Sequence, residues 1–196
     1  MTVSVKNIIE ACVLIALGIT ARLIPHLPNM TPVGAIALRS RARFGTWGLI
    51  IPIVSMALSD ALIGFYDLRL LASVYISFLC VGLMGVLLKK RPAAPRLALV
   101  ALAGSMLFFV ITNTAVWALS PWYEKSLMGL IACYIVALPF FASMLVGDQL
   151  FTFLLFRYEK SAKFYYILKN FLSTDHLPAP ITRSTAHAAT SKSTYS

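Results

Sequence analysis

The sequence predicts an all-α integral membrane protein with about six transmembrane helices, the second of them short or half-inserted. Of its 196 residues, 59% are hydrophobic, and the mean hydropathy is +0.82. Only 12% are charged, against about 25% in a typical soluble domain. A soluble fold of this size could not bury so much apolar surface, whereas a bilayer solvates it. Both termini are predicted to lie in the cytoplasm.

Five apolar stretches have the length of a helix that crosses about 30 Å of hydrocarbon. They are residues 8–24, 45–64, 69–88, 97–119 and 127–156. The last stretch is too long for one perpendicular helix, and Pro139 predicts a break that leaves residues 139–156 as the core span. A sixth stretch, residues 31–42, would rise only about 18 Å as a helix. It is therefore expected to be short, tilted or half-inserted.

The chain changes character after residue 156. Residues 1–156 are predicted to form the transmembrane helical domain. Residues 157–172, RYEKSAKFYYILKNFL, alternate basic with aromatic and apolar side chains, which is typical of an amphipathic helix on an anionic membrane surface. Residues 173–196 are rich in Ser, Thr, Ala and Pro, and this composition predicts a disordered tail.

The distribution of Lys and Arg predicts how the chain is oriented in a cell inner (plasma) membrane, as a multi-pass protein. If residues 31–42 cross, twelve basic residues collect on the cytoplasmic side and three near the outer side. The twelve are Lys6, Arg39, Arg41, Arg43, Lys89, Lys90, Arg91, Arg96, Arg157, Lys160, Lys163 and Lys169; the three are Arg22, Arg69 and Lys125. If residues 31–42 do not cross, the N-terminus moves outside. The net charge of +10 does not indicate nucleic-acid binding, because the basic residues separate apolar segments and form no continuous stripe.

Polar side chains inside the apolar segments point to a small-molecule site. Charged groups at membrane depth are costly and need an explanation. Arg22, Asp60 and Asn113 come from three different segments, yet each lies near the outer end of its own. The predicted topology therefore puts them in one layer, beneath the loop between the first two segments, as the lining of a cavity open to the outside. The predicted substrate-binding residues are Arg22, His26, Asn29, Asp60, Asn113 and Trp117.

Several of these residues also have a purely structural interpretation. Arg22 and Asp60 could form an ion pair between helices, and Asn113 could hydrogen-bond to a neighbouring helix. Trp117 could belong to an interfacial aromatic belt, together with Trp122 and Tyr123, and His26 could be an ordinary loop histidine. Asp148 lies deeper, within LVGDQLF. It could pair with an inner arginine or take part in energy coupling, and both interpretations stay open.

The sequence contains none of the motifs that would indicate an enzyme. It has no GxxxxGK[ST] phosphate loop, no HExxH or other compact metal-ligand spacing, and no Gly-x-Ser-x-Gly elbow. The cysteines, at positions 12, 80 and 133, have no CxxC spacing and are predicted to be buried free thiols. No enzyme activity, metal or cofactor is therefore predicted. A weaker enzyme hypothesis would combine His26 with Asp60 or Asp148, but it lacks a nucleophile–base arrangement.

The first apolar segment carries a ridge of small side chains. Cys12, Ala16 and Thr20 recur at every fourth position, which lets another helix approach closely. Whether that helix belongs to the same chain or to another subunit is open.

Four segments carry a resemblance to a known family: RLIPHLPNMTPVGAIAL, SDALIG, LFFVITNTAVW and ACYIVALPFFASMLVGDQLFTFLLF. They resemble an uncharacterised family of small bacterial membrane proteins that is described as a transport family, over roughly residues 10–156. That family is similar in layout to the S components of energy-coupling-factor transporters. S components are six-helix membrane proteins that bind the substrate near the outer face and work with a transmembrane coupling subunit and two ATPase subunits.

The resemblance implies a substrate-binding subunit for uptake of a small micronutrient solute, energised by a coupling subunit with its ATPases. It would make Cys12, Ala16 and Thr20 the partner-docking ridge, and residues 25–32 an outer gating loop. Arg39 and Arg41 depart from the pattern, because they replace an aromatic residue and a glycine. The alternative is a structural or assembly protein of the membrane that binds no small molecule.

Overall fold

The computed structural model describes residues 5–25, 27–89 and 92–172, with side chains up to residue 157. Within these ranges the chain is helical and contains no strand, so the predicted all-α class is confirmed. The α-helices are α1 (Val5–Leu23), α2 (Val33–Phe44), α3 (Ile50–Ile63), α4 (Leu68–Met84), α5 (Ala94–Leu119) and α6 (Leu127–Leu172). Short 3-10 helices occupy Gly45–Leu49 and Gly85–Leu88. The chain divides into two compact units, the first of which ends at Lys160. The described residues of the second unit are helical and end at Leu172.

Local sequence signals account for several helix ends. The Asp67 carboxylate caps α4, because its Oδ1 accepts hydrogen bonds from the backbone N–H of Arg69 at 2.8 Å and of Leu70 at 3.4 Å. Pro95 stands in the first turn of α5, where its missing N–H has no intrahelical partner to lose. Gly64 ends α3 with a φ of 111°, a backbone conformation that glycine adopts readily.

Four helical stretches are long and apolar enough to cross a membrane by length and composition. They are Val33–Ile63, Leu68–Leu88, Ala94–Leu119 and Leu127–Arg157. The first runs through α2, the following 3-10 helix and α3 over 31 residues. Helix α1 is not among the four; it carries Lys6, Glu10 and Arg22 within its 19 residues.

The predicted break at Pro139 is wrong, because α6 is one helix from Leu127 to Leu172 with Pro139 in its interior. A proline removes a single backbone hydrogen bond, and long apolar helices tolerate this where the other bonds hold. The predicted boundaries at residues 156 and 172 stay predictions. The backbone of residues 157–172 is helical, while the tail from 173 to 196 lies outside the described residues.

The short helix α2 is the most enclosed element of the fold. Every residue from Val33 to Ser40 is buried, and α2 contacts α1, α3, α4 and α5. Ile36 packs with Leu14 and Ile51 in one apolar cluster, and Leu38 packs into a second. The segment predicted to be short or half-inserted is thus the centre around which the other helices pack.

Glycines let the surrounding elements approach α2 closely. A Cβ on Gly48 would overlap the backbone carbonyl of Ser40, and one on Gly85 would overlap the carbonyl of Leu38. Backbone contact of this kind through small residues is the usual way in which helices associate in membranes.

The arginines near the end of α2 have partners within the chain. Glu10 on α1 accepts a hydrogen bond from Arg39 Nη2 at 2.8 Å and from Arg43 Nε at 2.9 Å. Arg39 is 7% exposed and lies 5.4 Å from the ring centre of Phe156. Arg41 Nε is buried and has no hydrogen-bond partner in the described part of the chain. Sequence reasoning did not single out Glu10, which here connects α1 to α2.

Candidate binding cavity

A cavity of about 440 Å³ lies between the helices. Its walls come from all six α-helices and from the loops that follow α1 and α3. The polar lining residues are Arg22, Asn29, Thr31, Thr112, Asn113 and Asp148, and the aromatic ones are Tyr66, Phe78, Phe108, Phe109, Phe140 and Phe141. Small-molecule sites usually measure about 300–1,000 Å³ and combine apolar walls with a few polar groups. The cavity therefore has the size and the composition of a ligand site.

Arg22 connects α1 to α3 at the edge of this cavity. Its Nη2 donates to Asp60 Oδ1 at 2.5 Å. Its Nη1 donates to Ser59 Oγ at 2.7 Å and to the carbonyl of Met56 at 3.3 Å. The Arg22 side chain is 19% exposed. The ion pair considered from the sequence is therefore formed, and its cationic member borders the cavity.

Asp60 lies behind Arg22 and does not line the cavity. It is 2% exposed, and its second oxygen, Oδ2, accepts a hydrogen bond from the Tyr75 hydroxyl at 2.8 Å. Both carboxylate oxygens thus have partners, one on α1 and one on α4. In this geometry Asp60 acts on the cavity by holding the guanidinium of Arg22 in place.

Two of the predicted asparagines line the cavity. Asn29 adopts a positive φ of 62° in the loop between α1 and α2, a left-handed conformation that asparagine tolerates well. Asn113 Nδ2 donates to the carbonyl of Phe109, one turn back in α5, at 2.8 Å. This nitrogen therefore bonds within α5. It does not make the hydrogen bond to a neighbouring helix that the sequence suggested. The amide oxygen of Asn113 has no hydrogen-bond partner among the described residues.

Of the two other predicted residues, Trp117 does not line the described cavity. His26 lies outside the described residues. Trp117 Nε1 donates to the carbonyl of Glu124 at 2.9 Å, and the ammonium of Lys125 donates to the carbonyls of Trp117 and Ser120. Trp117 thus fastens the loop between α5 and α6.

Asp148 faces the same cavity from α6. It is 7% exposed, and Ser105 Oγ on α5 donates to its Oδ2 at 2.7 Å. Its Oδ1 lies against Gly34 of α2, where a Cβ would overlap it. No basic side chain of the described part pairs with Asp148, so the suggested pairing is not formed with any described inner arginine. An acidic residue within an apolar segment is conspicuous in the sequence, so Asp148 could be singled out. Its position along the chain does not show which helices surround it.

The small residues of α1 lie on its outer side. Cys12, Ala16 and Thr20 are exposed, whereas the buried residues of α1 are Leu14 and Gly18. The ridge therefore does not pack into the described bundle. All three cysteines are free, but of the predicted buried thiols Cys133 is buried, Cys80 is half-buried and Cys12 is exposed. The described residues hold no group of three or more His, Cys, Asp or Glu that could bind a metal ion.

Comparison with known proteins gives one match. Residues 3–171 match the family described as "Family of unknown function (DUF6580)". No curated protein and no solved structure matches the chain.

Proposed function

We propose that this chain, which belongs to the Family of unknown function (DUF6580), is the substrate-binding subunit of a membrane transport system for a small micronutrient solute. One observation carries the proposal: a cavity of about 440 Å³ whose lining combines charged, amide and aromatic side chains. In this role the protein holds the solute and performs no catalysis of its own. ATP hydrolysis is supplied by partner subunits.

The proposed location is the cell inner membrane, as a multi-pass protein. Four apolar helical stretches support it, and so does the apolar outer surface, on which Leu62, Leu99 and Leu127 are 68%, 66% and 71% exposed. Such a surface requires lipid or another protein around it. The excess of Lys and Arg in alternate connections supports six spans with both termini in the cytoplasm.

The proposed solute contacts follow from the lining of the cavity. Arg22 and Asn113 offer hydrogen-bonding groups from α1 and α5, and Asn29 offers another from the loop between α1 and α2. Asp60 orients Arg22. His26 and Trp117 are proposed, on the sequence alone, to close the outer mouth.

The proposed partner is a transmembrane coupling subunit that carries ATPase subunits. The resemblance to S components suggests it, and the exposed ridge of Cys12, Ala16 and Thr20 supports it. Ala16→Phe is expected to reduce co-purification of ATPase activity from native membranes and to leave the unfolding temperature unchanged, since Ala16 is exposed in the described bundle. Retained ATPase activity in the purified Ala16→Phe sample would argue against docking on this face.

Native mass spectrometry of the gently solubilised protein tests the binding proposal. A defined small molecule is expected to co-purify with the wild type and to be lost from Arg22→Gln. Arg69→Gln is the matched control, because Arg69 is 66% exposed and pairs with Asp67 on the surface. The proposal fails if all three proteins carry the same lipids and no other small molecule.

A second candidate is a structural or assembly protein of the membrane. The network of Arg22, Asp60 and Tyr75 favours it, because it joins α1, α3 and α4 through partnered groups and needs no ligand. This candidate predicts that Asp60→Asn lowers stability and that no variant changes the occupancy of the cavity.

A further inference from the structure

We infer that the solute is an organic cation, a protonated amine or an ammonium group on an aromatic or apolar body, with its positive charge bound at Asp148. The inference rests on the proposed function, since it names the chemical class that the same cavity takes.

The charges around the cavity support a cation. Arg22 and Asp60 form an ion pair, so each neutralises the other. Asp148 also lines the cavity, but it forms no ion pair within the described part of the chain. Among the described ionisable side chains in and directly behind the lining, the Asp148 carboxyl is thus the one without a partner of opposite charge. Burying a carboxylate without a counter-charge is costly, and a cation that reaches it interacts more strongly than it would in water.

The geometry at Asp148 leaves one oxygen available to a solute. Oδ2 accepts the hydrogen bond from Ser105. No described residue donates a hydrogen bond to Oδ1, and the residue against it is Gly34, which has no side chain to obstruct it. Ser105 orients the carboxylate by bonding one oxygen only. The second oxygen can accept a hydrogen bond from a protonated amine.

The aromatic walls suit an organic cation. Phe78 and Phe108 lie with their ring centres 4.6 Å apart, and Phe109 and Phe141 with theirs 4.7 Å apart; all four line the cavity. The faces of aromatic rings attract cations, and the attraction grows when the cation is desolvated. The same rings can also pack against the apolar part of an organic cation, whereas an inorganic ion has no such part.

A metal ion fits the site less well. Oxygen-binding cations such as Ca²⁺ and Mg²⁺ take about six or more oxygen ligands. The described partner of the Asp148 carboxylate is the single hydroxyl of Ser105, whose one proton is shared with the carbonyl of Ala101 at 3.1 Å. The site therefore offers too few oxygens to surround such an ion.

Three probes of similar size and different charge test the inference on the full chain in detergent. They are 4-methylbenzylamine, a cation at neutral pH, 4-methylbenzyl alcohol, which is neutral, and 4-methylbenzoate, an anion. Binding is measured by titration calorimetry in sodium chloride and again in potassium chloride. The amine is expected to bind about tenfold or more tightly than the other two, as a charge-assisted hydrogen bond implies.

The variant Asp148→Asn keeps the shape of the side chain and removes its charge. It is expected to weaken amine binding about tenfold and to leave binding of the alcohol unchanged. Asp67→Asn is the matched control, because Asp67 is a carboxylate outside the cavity, and it is expected to change neither. Equal affinity for the three probes, or an amine preference that survives Asp148→Asn, would overturn the inference. A sodium-dependent signal that appears without any probe and is lost in Asp148→Asn would overturn it as well.

These outcomes are distinct from failure of the proposed function. A co-purified small molecule without a positive charge, lost from Arg22→Gln, would overturn the cationic solute and support a binding subunit. No binding of any probe, together with no co-purified small molecule, would overturn both.

Discussion

Arg22 on α1 and Asp60 on α3 form an ion pair at 2.5 Å, in which the carboxylate is almost fully buried. Asp148, the other acidic side chain buried near the cavity, has a serine as its described partner. A buried carboxylate with a cation and a tyrosine as partners stabilises the contact between helices. A buried carboxylate without a cation lowers the stability of the fold. Binding sites often contain such destabilising groups because the ligand needs them. The same substitution to asparagine should therefore destabilise the protein at Asp60 but not at Asp148.

Asp60→Asn is expected to lower the free energy of unfolding by about 2–4 kcal/mol, because it leaves the partly buried guanidinium of Arg22 without its counter-charge. Unfolding in detergent, followed by intrinsic fluorescence, measures the change. Asp67→Asn provides the comparison, since its ion pair with Arg69 is exposed and such pairs contribute little. Equal effects of the two substitutions would show that the buried pair has no special role.

Asp148→Asn is expected to leave the unfolding temperature of the ligand-free protein unchanged or to raise it. The amide keeps a hydrogen-bond acceptor for Ser105 and replaces a carboxyl that has no described basic partner. The same fluorescence measurement, run beside Asp60→Asn, checks this. A loss of stability as large as that of Asp60→Asn would mean that Asp148 is a structural carboxylate.

Tyr75→Phe is expected to cost about 1–2 kcal/mol, because it removes the hydroxyl that donates to Asp60 Oδ2. Tyr66→Phe is the matched control: Tyr66 lines the cavity, and its hydroxyl makes no hydrogen bond to a described residue. The double variant Tyr75→Phe/Asp60→Asn should cost less than the two single changes added together, since both act on one network. Additive costs would contradict the network.

Gly48→Ala is expected to cost about 1–3 kcal/mol, because its new methyl group would overlap the carbonyl of Ser40 and push α2 away from the following 3-10 helix. Thr46→Ala, at an exposed position of the same 3-10 helix, is expected to change little. If both variants unfold at the wild-type temperature, α2 is not held by this backbone contact.

Asp67→Ala is expected to destabilise the protein at neutral pH, and this effect should fade in acid. The hydrogen bond from the Arg69 side chain, and to a lesser extent the one from the Arg69 backbone N–H, hold the pKa of the Asp67 carboxyl below its usual 3.8. A carboxyl whose pKa is lowered by folding stabilises the fold above its unfolded pKa, and this contribution is lost as the pH falls through the folded pKa. Unfolding temperatures of wild type and Asp67→Ala between pH 7 and about pH 3 should therefore converge only at the acid end. A difference that does not depend on pH would mean that Asp67 acts without its charge.

Much of the fold could be predicted because helices depend on local interactions. Each apolar run consists of neighbouring residues, so each helix lies close to its predicted stretch. The prediction at Pro139 is wrong for a related reason. The sequence shows that proline removes a backbone hydrogen bond. It does not show whether the surroundings of the helix compensate for that loss.

The cavity was only partly predictable. Charged and amide residues in apolar segments are conspicuous in a sequence, so Arg22, Asn29 and Asn113 could be singled out, and all three line the cavity. The sequence allowed an ion pair between Arg22 and Asp60, which are 38 positions apart. That Arg22 lines the cavity and Asp60 lies behind it could not be predicted, because this depends on how α1 and α3 pack.

The sequence by itself determined the helical class, the approximate helix positions and the unusual polar residues, since composition and short-range spacing set these properties. Only the tertiary structure decided that α2 is the enclosed centre, that Glu10 joins two arginines, and that Asp148 faces the cavity beside Ser105, 43 positions away. These contacts depend on which helix faces meet. Packing between segments that are distant along the chain selects those faces, and no local pattern specifies them.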